Sequence, residues 1–333
     1  MLRIMLPCYL VKEQLAAKLA LLRQLAEGEI PCFLAGEKQK FAIGLEIGTN
    51  MESFLQPDFF DKGRRLLAEA DLPKDLFLSF HGPQFMEETC HSSNFFCGQQ
   101  GFKNLLRTID FARLIEADLV NVHAHQSLQN HQINALNQKE LMNLKRIHLS
   151  TVRNTLARMR DKVGLTPIMC VENVPYNYHG DRYVDPTIGL YDLAFVDPID
   201  FAKIISPKQN IFACIDVCHL AQVYDSSELL DKIVPLGTGV RHVHLSDLKG
   251  AWHPFISTCQ EGRIPGTGRI GKTVFFDLLC HFLWLSQQVD INLVLEINDS
   301  DFVAIRETTQ ALNELLDNIA RIPASAMLDR ICD

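Results

Sequence analysis

The sequence predicts an α/β fold, a single-domain (β/α)8 TIM barrel, and three observations carry that prediction. Short apolar runs and amphipathic helical stretches alternate about eight times along the chain, the rhythm of parallel strands wrapped by helices. No composition shift or low-complexity linker divides the 333 residues. The apolar runs repeatedly end in His, Asp or Glu, and the C-terminal ends of the strands are where such barrels carry their chemistry. A doubly wound open sheet is the alternative, but no Gly-rich dinucleotide fingerprint follows the first strand.

The first strand is read at Leu2 to Leu6, followed by a helix over 11–27 with Leu15, Leu19, Leu22 and Leu25 on one face. A mixed loop over 28–40 leads to a second strand from Phe41 to Gly48, and a helix over 59–71 ends before Pro73. The third strand runs from Leu76 to Phe80 and is closed by His81-Gly82-Pro83. A long polar loop through Cys90 and Cys97 precedes a helix over 100–116, whose Phe102, Leu105, Leu106, Ile109 and Ala112 fall at helical spacing. The fourth strand is Leu119 to His123, and a long helix follows over 137–162. The fifth is Pro167 to Glu172, and its loop over 175–188 carries Tyr176, Tyr178, His179, Asp181 and Arg182. A helix is expected at 198–205, the sixth strand at 210–216, a further helix at 225–234 and the seventh strand from Val240 to Leu245. A long loop to Pro265-Gly266-Thr267-Gly268, a helix over 271–288, the eighth strand from Ile291 to Glu296 and a helix over 301–320 complete the barrel. The domain is therefore read as 1–320, with 321–333 as a tail.

The composition is that of an ordinary globular chain, 47% hydrophobic and 22% charged. The formal charge of −8 gives no basic footprint and argues mildly against a nucleic-acid partner. Ten cysteines without a Cys-x-x-Cys spacing read as reduced, packed thiols, which suits the cytoplasm. The apolar start, Met1 to Pro7, is too short for a signal-peptide core, and no apolar run reaches membrane-spanning length.

The chemistry centres on Cys214-Ile215-Asp216-Val217-Cys218-His219, where a strand buried on both faces ends in Asp216 and then His219. A carboxylate there is costly unless compensated, and a divalent cation compensates it well. His81, His123, Glu172, His244 and Glu296 close other strands in the same way. Several strands each delivering one ligand-type side chain predict a metal site at one mouth of the barrel. Glu46 also ends a strand, and packing is the simpler reading for it. His125, His131, His179, His242 and His253 read as solvated or structural, Cys214 and Cys218 as packing residues, and Pro265-Gly266-Thr267-Gly268 as a tight turn rather than a phosphate cradle.

Taken in order, Phe80-His81-Gly82-Pro83, Asn121-Val122-His123, Val171-Glu172-Asn173, Ile215-Asp216-Val217-Cys218-His219, Val243-His244-Leu245-Ser246-Asp247, Pro265-Gly266-Thr267-Gly268 and Leu295-Glu296 resemble the xylose isomerase-like barrel superfamily. That group holds sugar isomerases and epimerases, and the endonuclease IV type of abasic-site repair enzymes. The resemblance implies that Glu172, Asp216, His244 and Glu296 form a four-residue metal site, as in the sugar enzymes. It places His219 where those enzymes contact substrate and the repair enzymes bind a further zinc. His81 and His123 match the repair enzymes' first zinc site, in which the Glu172 position bridges two metals. The repair enzymes also carry an Asp-x-His pair before the Gly-x-Gly turn, where this chain reads Gln260-Glu261-Gly262-Arg263.

The resemblance thus implies an isomerase or epimerase acting on a sugar or sugar phosphate with one or two ions of Mn²⁺, Mg²⁺ or Zn²⁺. A proton is removed alpha to a carbonyl, and the cation faces the enediolate oxygens. Glu172 and Glu296 are the expected proton-transfer groups, with His219 beside them. Arg182 and Arg263, with His219, are candidate substrate-binding residues, suited to a phosphate or carboxylate. A zinc phosphodiesterase acting on abasic DNA is the alternative enzyme, and a non-catalytic barrel binding a small ligand is the alternative of another class. The sequence leaves a homo-oligomer open.

Overall fold

The computed structural model describes residues 1–30, 33–34, 37–38, 40–83, 95–96, 98–124, 127–129, 135–174, 190–192, 194–250 and 260–323. Eight parallel strands close a barrel in chain order: β1 (Leu2–Tyr9), β2 (Ala42–Gly48), β3 (Phe77–His81), β4 (Leu119–His123), β5 (Ile168–Glu172), β6 (Ile211–Asp216), β7 (Val240–Leu245) and β8 (Ile291–Leu295). β1 closes the ring by pairing with both β8 and β2. The expected strands are all present, with ends shifted by a few residues. β4, β6 and β8 are buried at every position, which is what an unbroken apolar run requires when one face meets helices and the other the lumen.

The outer layer follows the helical periodicities. Leu15, Leu19, Leu22 and Leu25 of helix Lys12–Glu27 are buried, and Gly28 ends that helix at a left-handed φ of 78°. Helix Gln138–Val163 starts from a capping box between Asn137 and Glu140. Between β2, β3 and helix Gly98–Leu114, the rings of Phe54, Phe59, Phe80 and Phe111 form one cluster, with Phe111 4.8 Å from both Phe59 and Phe80.

The helices expected at 198–205 and 225–234 are shorter than the sequence suggests. The first is a 3-10 turn, Pro198–Lys203, and the second is reduced to Leu229–Ile233 between two 3-10 segments. Pro235 and Gly237, whose φ of 48° is not helical, break the second, while Pro198 opens the first at a position that tolerates proline. A helix not anticipated, Val217–Val223, leaves β6 directly, with Asp216 as its N-cap. The last helix begins at Arg306 rather than 301, because the Asp301 carboxylate accepts the amides of Val303 and Ala304 in a turn. Of the expected tail, residues 321–323 are described, and Ile322 is buried against the core.

Side chains two apart on a strand share a face, so the lumen is built in layers. Toward the N-terminal ends of the strands it is apolar: Leu119, Cys170, Phe212 and Cys214 pack with Phe77 and Ile168. Toward the C-terminal ends it is filled by imidazoles and carboxylates. Among the described residues, Cys8, Cys170, Cys214, Cys218 and Cys280 are buried free thiols, and no helix is long and apolar enough to cross a membrane.

Candidate metal centre

Strand pairing brings the predicted ligands together. His123 lies opposite Glu172, Glu172 opposite Cys214, and Asp216 opposite His244. The Glu296 amide continues the ladder by donating to Leu245 at 3.2 Å. Six of the residues singled out from the sequence, His81, His123, Glu172, Asp216, His219 and His244, are buried at 6% exposure or less, while the Glu296 side chain stays 35% exposed.

Glu172 is the centre of the cluster. Its Oε2 is 3.1 Å from His81 Nε2 and accepts a short hydrogen bond from Asn121. Its Oε1 is 3.2 Å from His123 Nε2, 3.3 Å from His244 Nδ1 and 3.5 Å from His219 Nδ1. Burial alone would raise the Glu172 carboxyl, but His244 and His123 outweigh it and hold it well below the usual carboxylate range.

The histidine partners fix which nitrogens face inward. The Nδ1 of His81 meets the Gly82 carbonyl at 2.8 Å and that of His219 meets the Asn173 carbonyl at 2.9 Å. A carbonyl only accepts, so Nδ1 carries the proton in both rings. In the neutral ring the Nε2 lone pair of His81 then faces Glu172, and that of His219 faces Asp216 Oδ2 at 3.5 Å. A lone pair aimed at a carboxylate needs a proton or a cation between them. Burial disfavours charging these rings, yet Glu172 raises His81 to about 9, and Asp216 with Glu261 raises His219 to about 9. Asp216, by contrast, is pushed up to about 7 by burial and by the nearby charges of Glu296 and Glu172.

His244 supplies the clearest sign of a cation. Its Nδ1 lies 3.1 Å from Glu296 Oε2, 3.3 Å from Glu172 Oε1 and 3.9 Å from Asp216 Oδ2, and makes no hydrogen bond. An imidazole nitrogen ringed by three carboxylates is the donor set of a divalent site. Three overlapping groups that include a carboxylate could each hold one: His81, Glu172 and His244; Glu172, Asp216 and His219; and Asp216, His244 and Glu296; Cys214, His242 and His244 form a fourth group. An imidazole held by a carbonyl on its far nitrogen is also the usual support of a metal-binding histidine. The residues present therefore fit a site for one or two divalent ions.

Sequence reasoning misses the supports. Asn173 clamps the end of β6, accepting the Asp216 amide at 2.7 Å and donating to the Asp216 carbonyl at 2.9 Å. Asp216 Oδ1 accepts the His219 amide at 2.8 Å, so one carboxylate both starts a helix and faces the site. Glu46, for which packing is the simpler reading of the sequence, is buried in the cluster with His242 at 2.6 Å and His244 at 3.0 Å. His242 is correspondingly buried rather than solvated, and burial lowers it. Asn121 and His242 each sit two residues before a ligand on the same strand, and that spacing is the available signal.

The turn reading of Pro265 to Gly268 holds. The amides of Leu248, Gly268 and Ile270 all donate to buried Asp247, at 2.7, 2.8 and 3.0 Å. Arg263 lies exposed on the hairpin formed by Asp247–Lys249 and Gln260–Arg263, where it bonds Gln260, and no described contact joins it to the cluster. Arg182, His125, His131, His179 and His253 lie outside the described residues. Cys214 packs in the lumen as expected, and its thiol is pushed far up by burial.

A cavity adjoins the cluster at the ends of β1, β2 and β8. Glu46, His81 and Glu296 line it together with Gln14, Lys18, Thr49 and Asn298.

Residues 57–322 match the model of the xylose isomerase-like TIM barrel family. No curated protein matches the chain in sequence. Among solved structures, a D-tagatose 3-epimerase-like protein superposes with a TM-score of 0.57 at 14% identity, over 95% of this chain and 97% of its own. Endonuclease IV from Thermus thermophilus gives 0.55 at 16% identity, over 98% and 99%. D-psicose 3-epimerase, solved in the presence of D-fructose, gives 0.52 at 11% identity, over 95% and 96%. At such identities these likenesses describe the fold, and they divide between sugar epimerases and a repair nuclease. With the matched family spanning most of the chain and a closed ring of eight parallel strands beneath the histidine–carboxylate cluster, this chain belongs to the xylose isomerase-like TIM barrels.

Proposed function

We propose that the chain is a divalent-metal-dependent isomerase or epimerase acting on a sugar or sugar phosphate. The observation that carries this reading is the asymmetry of the two glutamates. Both approach His244 Nδ1, yet Glu172 is enclosed by imidazoles while Glu296 is 35% exposed and borders the cavity. Glu172, Asp216, His244 and Glu296 would hold the cation, with His81 and His123 adding ligands on the Glu172 side. The bound cation supplies positive charge beside the carbonyl and hydroxyl oxygens of the substrate. Glu296 then collects the proton alpha to the carbonyl, and His219, whose Nδ1–H is held by the Asn173 carbonyl, holds or returns one. Gln14, Thr49, Asn298 and the buried Lys18 offer donors and acceptors suited to a polyhydroxylated ligand.

The test works whichever sugar is the substrate. Ketoses, aldoses and their phosphates are incubated with metal-loaded protein in deuterated water, and exchange of the alpha proton is followed by NMR. Exchange with any of them supports the reading.

A second reading has one specific observation behind it. His81 and His123 both meet Glu172, which is more imidazole than a single Mn²⁺ or Mg²⁺ site requires and suits zinc. Absence of exchange across the panel, together with cleavage of an abasic-site duplex, would replace the sugar reading with a zinc phosphodiesterase.

A further inference from the structure

Glu46 lies on β2, 2% exposed, and the sequence alone gives it no ligand role. Its Oε2 accepts from His242 Nε2 at 2.6 Å and from Ser79 Oγ at 3.2 Å, so the carboxylate is fixed by neighbours on β3 and β7. Its Oε1 stands 3.0 Å from His244 Nε2. The same ring therefore has a carboxylate behind it and three in front, where Nδ1 faces Glu296, Glu172 and Asp216.

A neutral imidazole has one N–H to give. If the proton sits on Nε2, it satisfies Glu46, and the Nδ1 lone pair turns to the three carboxylates, ready for a cation. If it sits on Nδ1, it bonds Glu296 or Glu172 and fills the place of the cation. Neither ring nitrogen is in line for a full hydrogen bond, so the choice rests on which carboxylate is better fixed. Glu46 is clamped and fully enclosed, whereas Glu296 is partly exposed and can move away, and Glu172 Oε1 is shared between His244, His123 and His219.

We propose that Glu46 is a positioning residue that selects the Nε2–H form of His244 and so makes its Nδ1 a metal ligand, with His242 and Ser79 fixing the carboxylate. The inference rests on the metal-site reading above and adds to it a supporting layer inside the lumen. Carboxylate–histidine–metal relays of this kind govern affinity because ligand basicity and ring orientation follow the outer hydrogen bond.

The test compares wild-type protein with Glu46→Gln, Glu46→Asp and Ser79→Ala. Zinc affinity is measured by competition with a chromophoric chelator, folding by circular dichroism, and the protonated nitrogen of His244 by 15N NMR. Glu46→Gln offers its amide N–H to Nε2 and should move the proton to Nδ1, weakening zinc by about 10–100-fold in a folded protein. Glu46→Asp should recover part of that loss. Ser79→Ala, which keeps the carboxylate but loosens it, should give a smaller loss of a few fold and remains informative should Glu46→Gln not fold. A purely structural role would leave the His244 proton in place. The inference is overturned if folded Glu46→Gln, or Ser79→Ala in its stead, keeps wild-type affinity and the wild-type protonation pattern. Wild-type protein that takes up no zinc or other divalent ion would overturn the metal reading itself, and this inference with it.

Discussion

His81 and Glu172 face each other across the single strand, β4, that separates β3 from β5: Nε2 stands 3.1 Å from Oε2 while the Gly82 carbonyl fixes Nδ1 on the far side of the ring. Without a cation, a proton must occupy that gap, which is why His81 is raised to about 9 from its ordinary 6.5, against the effect of burial. His219 is raised to about 9 in the same way. A group whose folded value is raised contributes stability that is complete below the unfolded value and lost as pH rises through the folded one. Metal-free protein should therefore lose stability between pH 6.5 and about 9, by roughly 1–3 kcal/mol per histidine. Asp216, raised from 3.8 to about 7, acts in the same direction over a lower window. A bound cation replaces these protons, so metal affinity should climb over the same range and excess metal should flatten the profile. Melting curves at stepwise pH, with chelator and with metal, check this. A chelator-treated profile that is level from pH 6 to 9 would remove the protonated-pair account.

The two glutamates should separate on substitution. Glu296→Gln keeps the shape of a partly exposed side chain, so its melting temperature should stay close to wild type. Turnover should fall by about 10²–10⁴-fold, the usual worth of a positioned proton-transfer group. Glu172→Gln removes the one charge that His81, His123, His219 and His244 share. It should lose the cation and cost roughly 3–5 kcal/mol, as when one partner of a buried ionic cluster is removed. Equal losses of stability in the two variants would contradict the different exposures.

The barrel is legible because its signal is long-range and repeated: apolar runs of strand length, helical spacing between them, and a ligand-type residue where each run stops. Asp216, Glu172 and His244 can be picked out because a charged or titratable group at the end of a buried strand needs a partner. Asn173, Glu46 and His242 cannot be assigned, because their roles are contacts between strands. Nothing local in Val243-His244 says that the ring meets Glu46 from the other side of the barrel. The helix at Val217–Val223 is hidden because Asp216 serves strand, cap and cluster together. The shortened helix at 229–233 shows proline and glycine overriding an apolar pattern.

Asn173 joins the fifth and sixth strands to the site. Its side chain takes both backbone groups of Asp216, and its carbonyl holds His219. Asn173→Ala leaves the buried Asp216 amide without a partner, at a cost of roughly 1–3 kcal/mol. It should also free the Asp216 and His219 side chains from their common anchor and weaken metal binding about tenfold or more. Denaturant unfolding and the chelator competition measure the two effects separately. Wild-type affinity in a destabilised but folded Asn173→Ala would confine the residue to the fold.

Asp247 decides whether the glycine turn at Pro265 to Gly268 can bind an anion. The amides of Leu248, Gly268 and Ile270 already donate to its carboxylate, which is fully buried. A Cβ on Gly268 would stand 2.2 Å from the Leu248 carbonyl oxygen and 2.6 Å from Asp247 Oδ1, so the backbone is drawn tightly around that side chain. The turn thus carries its own internal anion, and wild-type stability should gain nothing from phosphate acting at this turn. Asp247→Ala strips the acceptor from three amides and should cost at least about 2–3 kcal/mol. Those amides then form an unfilled anion nest, so added sulfate or phosphate should restore part of the loss in the variant while leaving wild type where it was. Melting both proteins across an anion titration gives the answer. A parallel response in the two would mean that the carboxylate does not occupy the place an anion would take.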